Sequence, residues 1–281
     1  MLDEAGLQAF IEAALAEDVG DGDHTSLACI PGDSFSDAIL LVKDVGVIAG
    51  VELAKKILLF TDPNAQIEVL IEDGADVDYK DIVFTCRANT RALLKAERLL
   101  LNCMQRMSGI ATLSSRFAVE VEGSGVTILD TRKTSPLIRF MEKWAVRIGG
   151  CTNYREGLYD WIMIKDNHVE ASGGIIPAIE RVHKYLDGSG LHRDITVEVR
   201  NLVELHEVLQ IGGVKRIMFD NFELPILKEA VATVNGRFET EASGGVNLHT
   251  VASIARTGVQ FISVGALTHS AGSLDLSFKI Q

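Results

Sequence analysis

Two stretches of the sequence place cations where an apolar run ends. "ILDTRKTSP" presents Arg132 and Lys133 directly after its apolar residues, and "WIMIKDNH" passes through four apolar residues before it reaches Lys165. The chain has a formal net charge of −12, so cations grouped at such points are suited to a small, local anion. Arg can pair with a carboxylate through two parallel hydrogen bonds, whereas Lys acts as a compact point charge.

Three later apolar runs also end in polar side chains, and glycine loops follow the last of these three and the next run along the chain. The polar side chains are Glu198, Asp220 and Ser243. The loops are "SGG", in which Gly244 and Gly245 follow Ser243, and "VGA", which contains Gly265. Glycine lets backbone N–H groups approach an anion closely, so such loops can hold a phosphate. The helix expected after "SGG" would be capped by Asn247.

These side chains need elements that bring them together. Short apolar runs begin at residues 126, 161, 195, 216, 237 and 261 and alternate with helical patterns, a spacing typical of strand, loop and helix units. Apolar runs without polar alternation are typical of strands buried on both faces of a parallel sheet. The pattern therefore predicts a complete or partial β/α barrel, in which chemistry takes place at the carboxyl ends of the strands.

A charged residue at one strand end has a simpler interpretation. It is commonly just the first solvated residue of a loop, and for any single position that interpretation is favoured. Charges at four consecutive strand ends weaken it, because the barrel would bring them to one mouth. The repulsion and desolvation there would be offset by a bound anion and a metal.

The first part of the chain follows another pattern. Residues 7–18 place apolar side chains on one helical face, and residues 90–107 are predicted to form a helix that is mostly buried. Between them lie strand patterns and one further helical segment, at residues 38–44, 46–50, 66–71 and 81–88 and at 50–60. This half is predicted to be an α+β unit of sheet and helices.

Composition limits the possible classes of protein. The 281 residues are 47% hydrophobic and 23% charged, which predicts a soluble globular protein with one large domain or two smaller ones. No apolar segment approaches the ~20 residues of a membrane span, and the start lacks a secretory signal, so a cytoplasmic location is expected. The acidic balance argues against a nucleic-acid surface. The four cysteines show no metal or redox spacing and are predicted to be free thiols: Cys29, Cys86, Cys103 and Cys151.

Several motifs together resemble one enzyme family. In order they are "ERLLLNCMQRMSGIAT", "LDTRKTSP", "EKWAVRIGGCTNYREGLYDWIMIKDNH", "VEVRNLVEL", "FDNF", "EASGGVNL" and "VGALTHS". The chain is similar, through them, to the nicotinate-nucleotide pyrophosphorylases, also called quinolinate phosphoribosyltransferases. The similarity runs from "DGDHTS" near the start to the tail, and the "DTRKT" and "IKDNH" elements are specific.

The resemblance implies a fold and a reaction. The fold class is α/β, with an N-terminal α+β sandwich domain at 1–108, an incomplete β/α barrel at 109–270, and a tail at 271–281 that packs on the N-terminal domain. The reaction joins quinolinate and phosphoribosyl pyrophosphate to give nicotinate mononucleotide, pyrophosphate and carbon dioxide in NAD synthesis. It uses Mg²⁺, and the family's dimer implies that Arg98 completes the partner's site.

The family's site residues carry over by position. The predicted catalytic residues are Lys133, Lys165, Glu198 and Asp220, of which the two carboxylates would hold Mg²⁺ directly or through water. The predicted quinolinate contacts are Arg98, Arg132, Arg155 and Lys165, with Lys133 beside them and Tyr154 near the substrate carboxylates. The predicted phosphate contacts are Ser243, Gly244, Gly245, Val264, Gly265 and Ala266, and Thr131 is predicted to bind substrate as well.

Two positions depart from the family pattern. Tyr154 stands where the family usually has His, so a neutral phenol would be the donor near the substrate carboxylates. Arg200 stands where an acidic residue is common, which leaves the metal site less defined than the anion site. Two alternatives stay open: the related protein of molybdate-uptake operons, and a non-catalytic phosphosugar-binding protein. The intact "YREGLYD" and "IKDNH", and the carboxylates beside the cations, favour the quinolinate enzyme.

Overall fold

The computed structural model describes residues 3–281 as helices and strands joined by short loops. The helices are α1 Glu4–Val19, α2 His24–Cys29, α3 Val51–Thr61, α4 Thr90–Glu120, α5 Arg139–Ile148, α6 Asp166–Ser172, α7 Ile175–Ser189, α8 Leu202–Ile211, α9 Leu224–Val234, α10 Val251–Ala255 and α11 Ala266–His269. The strands are β1 Phe35–Val42, β2 Gly46–Val47, β3 Gln66–Val69, β4 Asp76–Val77, β5 Ile82–Asn89, β6 Thr127–Leu129, β7 Ile162–Ile164, β8 Ile195–Val199, β9 Arg216–Asp220, β10 Glu239–Ser243, β11 Phe261–Ser263 and β12 Leu276–Ile280.

The chain forms two compact units. The first comprises Met1–Ser115, Thr134–Gly150 and Ser270–Gln281, and the second comprises Arg116–Lys133 and Cys151–His269. Among residues 3–281, no helix is both long enough and apolar enough to cross a membrane. The prediction of free thiols is confirmed, since none of the four cysteines forms a disulfide within the described residues.

The first unit is built on an antiparallel sheet in the order β12-β1-β5-β3. Strand β1 buries Ala38, Leu40 and Val42 on one face, which is the period of two expected for a half-buried strand. Helix α4 is tied to the β2 segment by side-chain hydrogen bonds. The Ser108 hydroxyl bonds both backbone polar groups of Ala49, at 2.9 and 3.1 Å. This helix continues through Ser108 to Glu120, so the boundary between residues 108 and 109 that the family resemblance implies falls within one helix.

The second unit contains six parallel strands in the order β6-β11-β10-β9-β8-β7. Strands β6 and β7 are the two edges of this sheet, which confirms the prediction of an incomplete barrel. Strands β8, β9 and β11 begin at the predicted residues. All five residues of β8 are buried, as expected for a parallel strand covered on both faces. Because the strands are parallel, their carboxyl ends lie at one edge, where the predicted site residues follow.

One interpretation near that edge is wrong. Asn247 does not cap the helix after "SGG", because α10 begins only at Val251 and Thr250 is its N-cap residue. The Asn247 side-chain oxygen instead accepts a hydrogen bond from the His249 N–H at 2.9 Å and closes a turn. Asn is common both at helix N-caps and in turns, because its short side chain forms hydrogen bonds with nearby backbone groups. The sequence pattern therefore did not distinguish the two positions.

The first unit contains a buried carboxylate with a full set of donors. Glu142 in α5 is completely buried and accepts hydrogen bonds from the Arg106 guanidinium at 2.8 and 3.0 Å. It also accepts from the backbone N–H and the hydroxyl of Ser135, each at 3.0 Å. A buried charge satisfied in this way stabilises the fold only while all its partners remain, so removing one partner costs far more than breaking a surface pair.

We expect Glu142→Ala to lower the free energy of unfolding by ~3 kcal/mol or more, because it leaves the Arg106 guanidinium without its counter-charge. The matched control is Asp37→Ala, which breaks the exposed pair between Asp37 and Arg87 in the same unit and should cost under ~1 kcal/mol. Urea denaturation of both variants measures the difference. Equal losses in the two variants would contradict a structural role for the Glu142 cluster.

Candidate active site

A cavity of about 800 Å³ opens at the carboxyl edge of the parallel sheet. Its lining comes entirely from the second unit: Thr131, Arg132, Lys133, Tyr154, Arg155, Met163, Lys165, Glu198, Met218, Asp220, Asn221, Ser243, Gly244, Gly245, Val246, Ser263, Gly265, Ala266 and His269. The structure thus brings together thirteen of the fifteen predicted site residues, although they are spread along the chain from residue 131 to 266.

Two predicted residues lie elsewhere. Val264 is buried beside the cavity rather than in its lining, and its N–H donates to the Leu129 carbonyl at 2.8 Å. Its contribution is therefore to join β11 to β6 behind the "VGA" loop. Arg98 belongs to the first unit, where it is exposed on α4. Within residues 3–281 its side chain makes no ion pair.

Cations occupy one part of the cavity lining. Arg132 and Lys133 follow β6, Arg155 follows the bridge that pairs Thr152 with Leu129, and Lys165 follows β7. Arg155 is only 9% exposed, and its pKa is lowered from the ordinary value by burial and then by the charge of Arg132. Gathering these charges is unfavourable without a partner, so the cavity is suited to an anion with more than one negative charge.

Lys165 is held by its backbone and by its side chain. Its N–H donates to Nδ1 of His168 at 3.0 Å, and the backbone N–H of His168 donates back to the Lys165 carbonyl at 2.8 Å. These bonds fix the start of α6 in the manner of a capping box. The ammonium group donates to Oε2 of Glu198 at 2.9 Å, and the Glu198 side chain is only 8% exposed. The pair places one positive and one negative group at adjacent strand ends.

A second carboxylate is fixed at the next strand ends. Asp220 accepts hydrogen bonds from the Ser243 hydroxyl at 3.0 Å and from the Asn221 amide at 2.8 Å. Gly244 allows this arrangement, since it has φ +93° and a Cβ atom there would collide with the side-chain amide of Asn221. The first glycine of "SGG" therefore has a packing requirement of its own, besides leaving room for an anion.

The "VGA" loop approaches the Lys133 side chain closely. A Cβ atom at Gly265 would lie 3.0 Å from the Lys133 side chain and 3.1 Å from the His269 ring. The hydroxyl of Thr268 donates to the Lys133 carbonyl at 2.7 Å, so α11 also holds the backbone of the "DTRKT" loop. Lys133 is thus positioned by contacts from the far end of its own unit.

Other charged residues at strand ends have structural positions. Asp130 is completely buried outside the cavity lining and accepts a hydrogen bond from the Tyr154 N–H at 2.8 Å. Arg200 pairs with Glu204 at 2.6 Å and also lies outside the lining. Asp130 is therefore neither a solvated loop residue nor a residue of the cavity lining. It is a buried acceptor that supports the segment carrying Arg155.

Sequence reasoning missed six residues of the lining: Met163, Met218, Asn221, Val246, Ser263 and His269. Met163, Met218 and Ser263 lie within strands, and their inward direction follows from register rather than from residue type. Asn221 and His269 stand inside the motifs "FDNF" and "VGALTHS", which give their nearness to the site but not their direction. Strand alternation counted back from the strand ends would have indicated Met218.

The donors for a metal are few. Within residues 3–281, no three His, Cys, Asp or Glu side chains are grouped so that they could hold a metal ion by themselves. Glu198 and Asp220 remain as two carboxylates in one cavity. Mg²⁺ is usually bound through one or two carboxylates together with substrate phosphates and waters, so this donor set fits a metal that enters with a phosphorylated substrate.

Comparisons with known proteins agree with this geometry. Residues 23–108 match the family model for the quinolinate phosphoribosyl transferase N-terminal domain, and residues 110–279 match that for its C-terminal domain. The chain is 48% identical to nicotinate-nucleotide pyrophosphorylase [carboxylating], chloroplastic, of Arabidopsis thaliana, over 98% of this chain and 83% of that protein. It is 46% identical to quinolinate phosphoribosyltransferase [decarboxylating] 1b of Nicotiana tabacum, over 98% and 82%.

Solved structures give the same result. The crystal structure of NadC from Streptococcus pyogenes superposes with a TM-score of 0.93 at 33% identity, and covers 99% of this chain and 97% of that one. Nicotinate-nucleotide pyrophosphorylase from Francisella tularensis has a TM-score of 0.91 at 34% identity, with coverage of 100% and 98%. From both domain models and these similarities over nearly the full length, the chain belongs to the quinolinate phosphoribosyltransferase family.

Proposed function

We propose that the chain transfers the phosphoribosyl group of phosphoribosyl pyrophosphate to quinolinate with decarboxylation, giving nicotinate mononucleotide, pyrophosphate and carbon dioxide for NAD synthesis. The observation that carries the proposal is the cavity itself, which places four cations, two carboxylates and two glycine loops together. Quinolinate brings two carboxylates and its co-substrate brings a phosphate and a pyrophosphate. A site for this pair must hold several negative charges, and the cations of the lining meet that requirement.

The shapes of the arginine and lysine side chains suit them to different anionic groups of the substrates. The planar guanidinium groups of Arg132 and Arg155 suit the flat, adjacent carboxylates of quinolinate, because each can donate two parallel hydrogen bonds. Lys133 and Lys165 act as point charges beside them. The low exposure of Arg155 strengthens its interaction with a bound carboxylate, since water screens it weakly there.

The carboxylates serve the ribose side of the reaction. As pyrophosphate leaves, positive charge develops at the anomeric carbon, and Glu198 and Asp220 stabilise it from fixed positions. Their own hydrogen bonds, from Lys165 and from Ser243 and Asn221, hold them in place before substrate arrives. Such preorganised groups need no rearrangement during the reaction.

Mg²⁺, when bound, would neutralise charge on the pyrophosphate, and Glu198 and Asp220 are the residues that would hold it or its waters. The chain's own residues then orient the reactants. The quinolinate nitrogen attacks the anomeric carbon through an oxocarbenium-like state, without a covalent enzyme intermediate. The carboxylate beside that nitrogen leaves as carbon dioxide, and the electrons of the broken bond stay on the ring carbon next to the cationic nitrogen. A proton from water then takes the place of the lost carboxylate on that carbon. Holding the reacting atoms in line is the main contribution of the protein.

Incubation of the protein with quinolinate, phosphoribosyl pyrophosphate and Mg²⁺, followed by chromatographic detection of nicotinate mononucleotide, tests the proposed function. Nicotinate replaces quinolinate in a parallel reaction. Product formed from quinolinate and not from nicotinate supports the proposal, whereas turnover of nicotinate but not of quinolinate contradicts it.

We expect Lys165→Ala to reduce kcat/KM about thirtyfold or more, since loss of a charge-assisted hydrogen bond in a dry site costs ~2 kcal/mol. The matched control is Lys228→Ala, because Lys228 is exposed on α9 of the same unit and lies outside the lining. The control should keep its kcat/KM. Near-normal kcat/KM in Lys165→Ala would show that Lys165 is only a solvated strand end.

The proposed metal dependence has its own test. A chelator should abolish turnover and added Mg²⁺ should restore it. Asp220→Asn should raise the Mg²⁺ concentration needed for half-maximal rate about tenfold, because an amide binds this hard cation more weakly than a carboxylate does. Asp194→Asn, at an exposed carboxylate outside the cavity lining, is the control. The same Mg²⁺ requirement in both variants would exclude Asp220 as a ligand or a holder of the metal's waters.

A homodimer with shared sites is also part of the proposal. Arg98 is exposed and makes no ion pair within the described residues, which leaves its guanidinium available to a second copy of the chain. Each Arg98 would complete the cavity of the partner across a two-fold interface.

The chloroplast in the name of the Arabidopsis relative is that protein's compartment. A cytoplasmic location for this chain stays a prediction.

We expect Arg98→Ala and Lys165→Ala to be nearly inactive separately and to recover about a quarter of wild-type activity after equal mixing and random re-pairing, because half the dimers are mixed and each has one intact site of two. Mass spectrometry verifies subunit exchange. The matched control mixes Lys133→Ala with Lys165→Ala, two lesions of the same cavity, and should recover nothing. If exchange is complete and the first mixture stays inactive, Arg98 does not act in the partner's site.

A further inference from the structure

The segment Tyr154–Arg155 carries a cation to the cavity without belonging to a strand or a helix. Its backbone is fixed at one point by the completely buried Asp130, which accepts the Tyr154 N–H at 2.8 Å. Its side chains are fixed from beneath the cavity by a group of polar and aromatic residues that the reaction itself does not use. This group decides where the Arg155 guanidinium lies.

Thr196 is the junction of that group. It is completely buried in β8, in register with Met163 of β7, which lines the cavity, and with Arg216 of β9. Its hydroxyl oxygen accepts a hydrogen bond from the indole nitrogen of Trp161 at 2.8 Å. The same oxygen lies 2.7 Å from the Tyr154 hydroxyl. A Trp indole can only donate, so Thr196 is the acceptor that satisfies it.

The Tyr154 ring is clamped as well as bonded. It meets the Trp161 ring edge to face, with the centroids 5.5 Å apart, and the Arg216 guanidinium lies 4.9 Å from its centroid. Burial, and then the nearby charge of Glu241, raise the pKa of the Tyr154 phenol above its ordinary value. The phenol therefore keeps its proton at neutral pH and remains a neutral partner for Thr196.

Trp161 connects this junction to the cation. Its carbonyl oxygen lies 3.5 Å from Nη1 of Arg155, while its indole is held by Thr196. Thr196 therefore restrains the segment at both residues, through the Tyr154 phenol and through Trp161. Further below, Arg216 pairs with Glu241 at 3.1 Å, and Glu241 accepts a hydrogen bond from Ser263, which lines the cavity. The layer beneath the cavity is thus a connected polar network rather than an apolar core.

We propose that Thr196 is a positioning residue for quinolinate, whose hydroxyl holds Tyr154 and Trp161 so that Arg155 presents its guanidinium to a substrate carboxylate. The inference rests on the proposed function and deepens it, because it names a residue that acts on substrate affinity without touching the substrate. Its effect is specific to quinolinate, since the loops assigned to phosphate have no contact with this junction among the hydrogen bonds of residues 3–281.

The test compares Thr196→Val with Thr196→Ser. Valine keeps the shape but leaves the half-buried indole N–H of Trp161 without its Thr196 acceptor. The quinolinate KM should therefore rise about tenfold while the KM for phosphoribosyl pyrophosphate stays within about twofold. Serine keeps the hydroxyl and should keep the quinolinate KM within about threefold. Thr240→Val is the matched control, because Thr240 is a buried strand threonine whose hydroxyl bonds the Gln260 N–H away from the cavity.

A spectroscopic measurement separates positioning from loss of stability. The protein has two tryptophans, Trp144 and Trp161, so a nitrogen-15 spectrum shows two indole N–H signals. Thr196→Val should move the Trp161 signal upfield and leave the Trp144 signal unchanged, and Trp144→Phe assigns the two. A double-mutant cycle with Tyr154→Phe should show that the two changes in quinolinate KM are not additive, because both act through one junction.

The outcomes distinguish the inference from the function beneath it. If the wild-type protein does not convert quinolinate, the proposed function and this inference both fail. If wild-type turnover is normal and Thr196→Val leaves the quinolinate KM unchanged, or raises both substrate KM values equally, only the inference fails. Should Thr196→Val not fold, Trp161→Phe decides, because it removes the indole N–H that Thr196 accepts and Trp161 lies outside the cavity lining. The inference requires a higher quinolinate KM in that variant with an unchanged KM for phosphoribosyl pyrophosphate.

Discussion

Repulsion among like charges is the constraint that shapes the cavity. Arg132, Lys133, Arg155 and Lys165 converge there in an acidic chain. Burial of Arg155 makes its charge harder to keep beside these neighbours. The lowered pKa of Arg155 is the direct sign of that cost. The protein offsets part of it by pairing Lys165 with Glu198, so that only some of the positive charge waits for substrate. A binding site for a multiply charged anion is therefore unfavourable by itself and is held together by the rest of the unit.

Hydrogen bonds to buried acceptors provide that support. The parallel strands fix where Lys165, Glu198 and Asp220 leave the sheet, but they leave the loop residues free to turn. Asp130 and Thr196 remove this freedom for the segment that carries Arg155, and both are completely buried acceptors. A buried acceptor is costly unless its donors are present, so each fixes a single conformation of the loop it bonds. The functional cations are thus exposed to the cavity while the groups that aim them are not.

The sequence predicted the strands, which depend on local pattern, and missed the directions and contacts of individual side chains. Strands β8 and β9 were predicted residue for residue, because continuous apolar runs with polar ends have few other interpretations. Asp130 follows β6 in the sequence, but the hydrogen bond that its buried carboxylate accepts comes from Tyr154, which is distant in sequence. The Tyr154 phenol was predicted to meet substrate carboxylates. Tyr154 lies in the cavity lining, and its hydroxyl also lies 2.7 Å from that of Thr196 in β8, a distance that no motif predicts.

Glycines at the cavity also show that contacts between side chains could not be predicted from the sequence. The sequence indicated Gly244 and Gly265 as residues that let a phosphate approach. In the structure each also makes room for a side chain of the protein, Asn221 in one case and Lys133 in the other. A side chain at Gly265 would displace Lys133 before it blocked any ligand. The absence of a Cβ atom at these glycines therefore has two consequences. It leaves room for a ligand, and, even without a ligand, it leaves room for the protein's own charged and polar side chains.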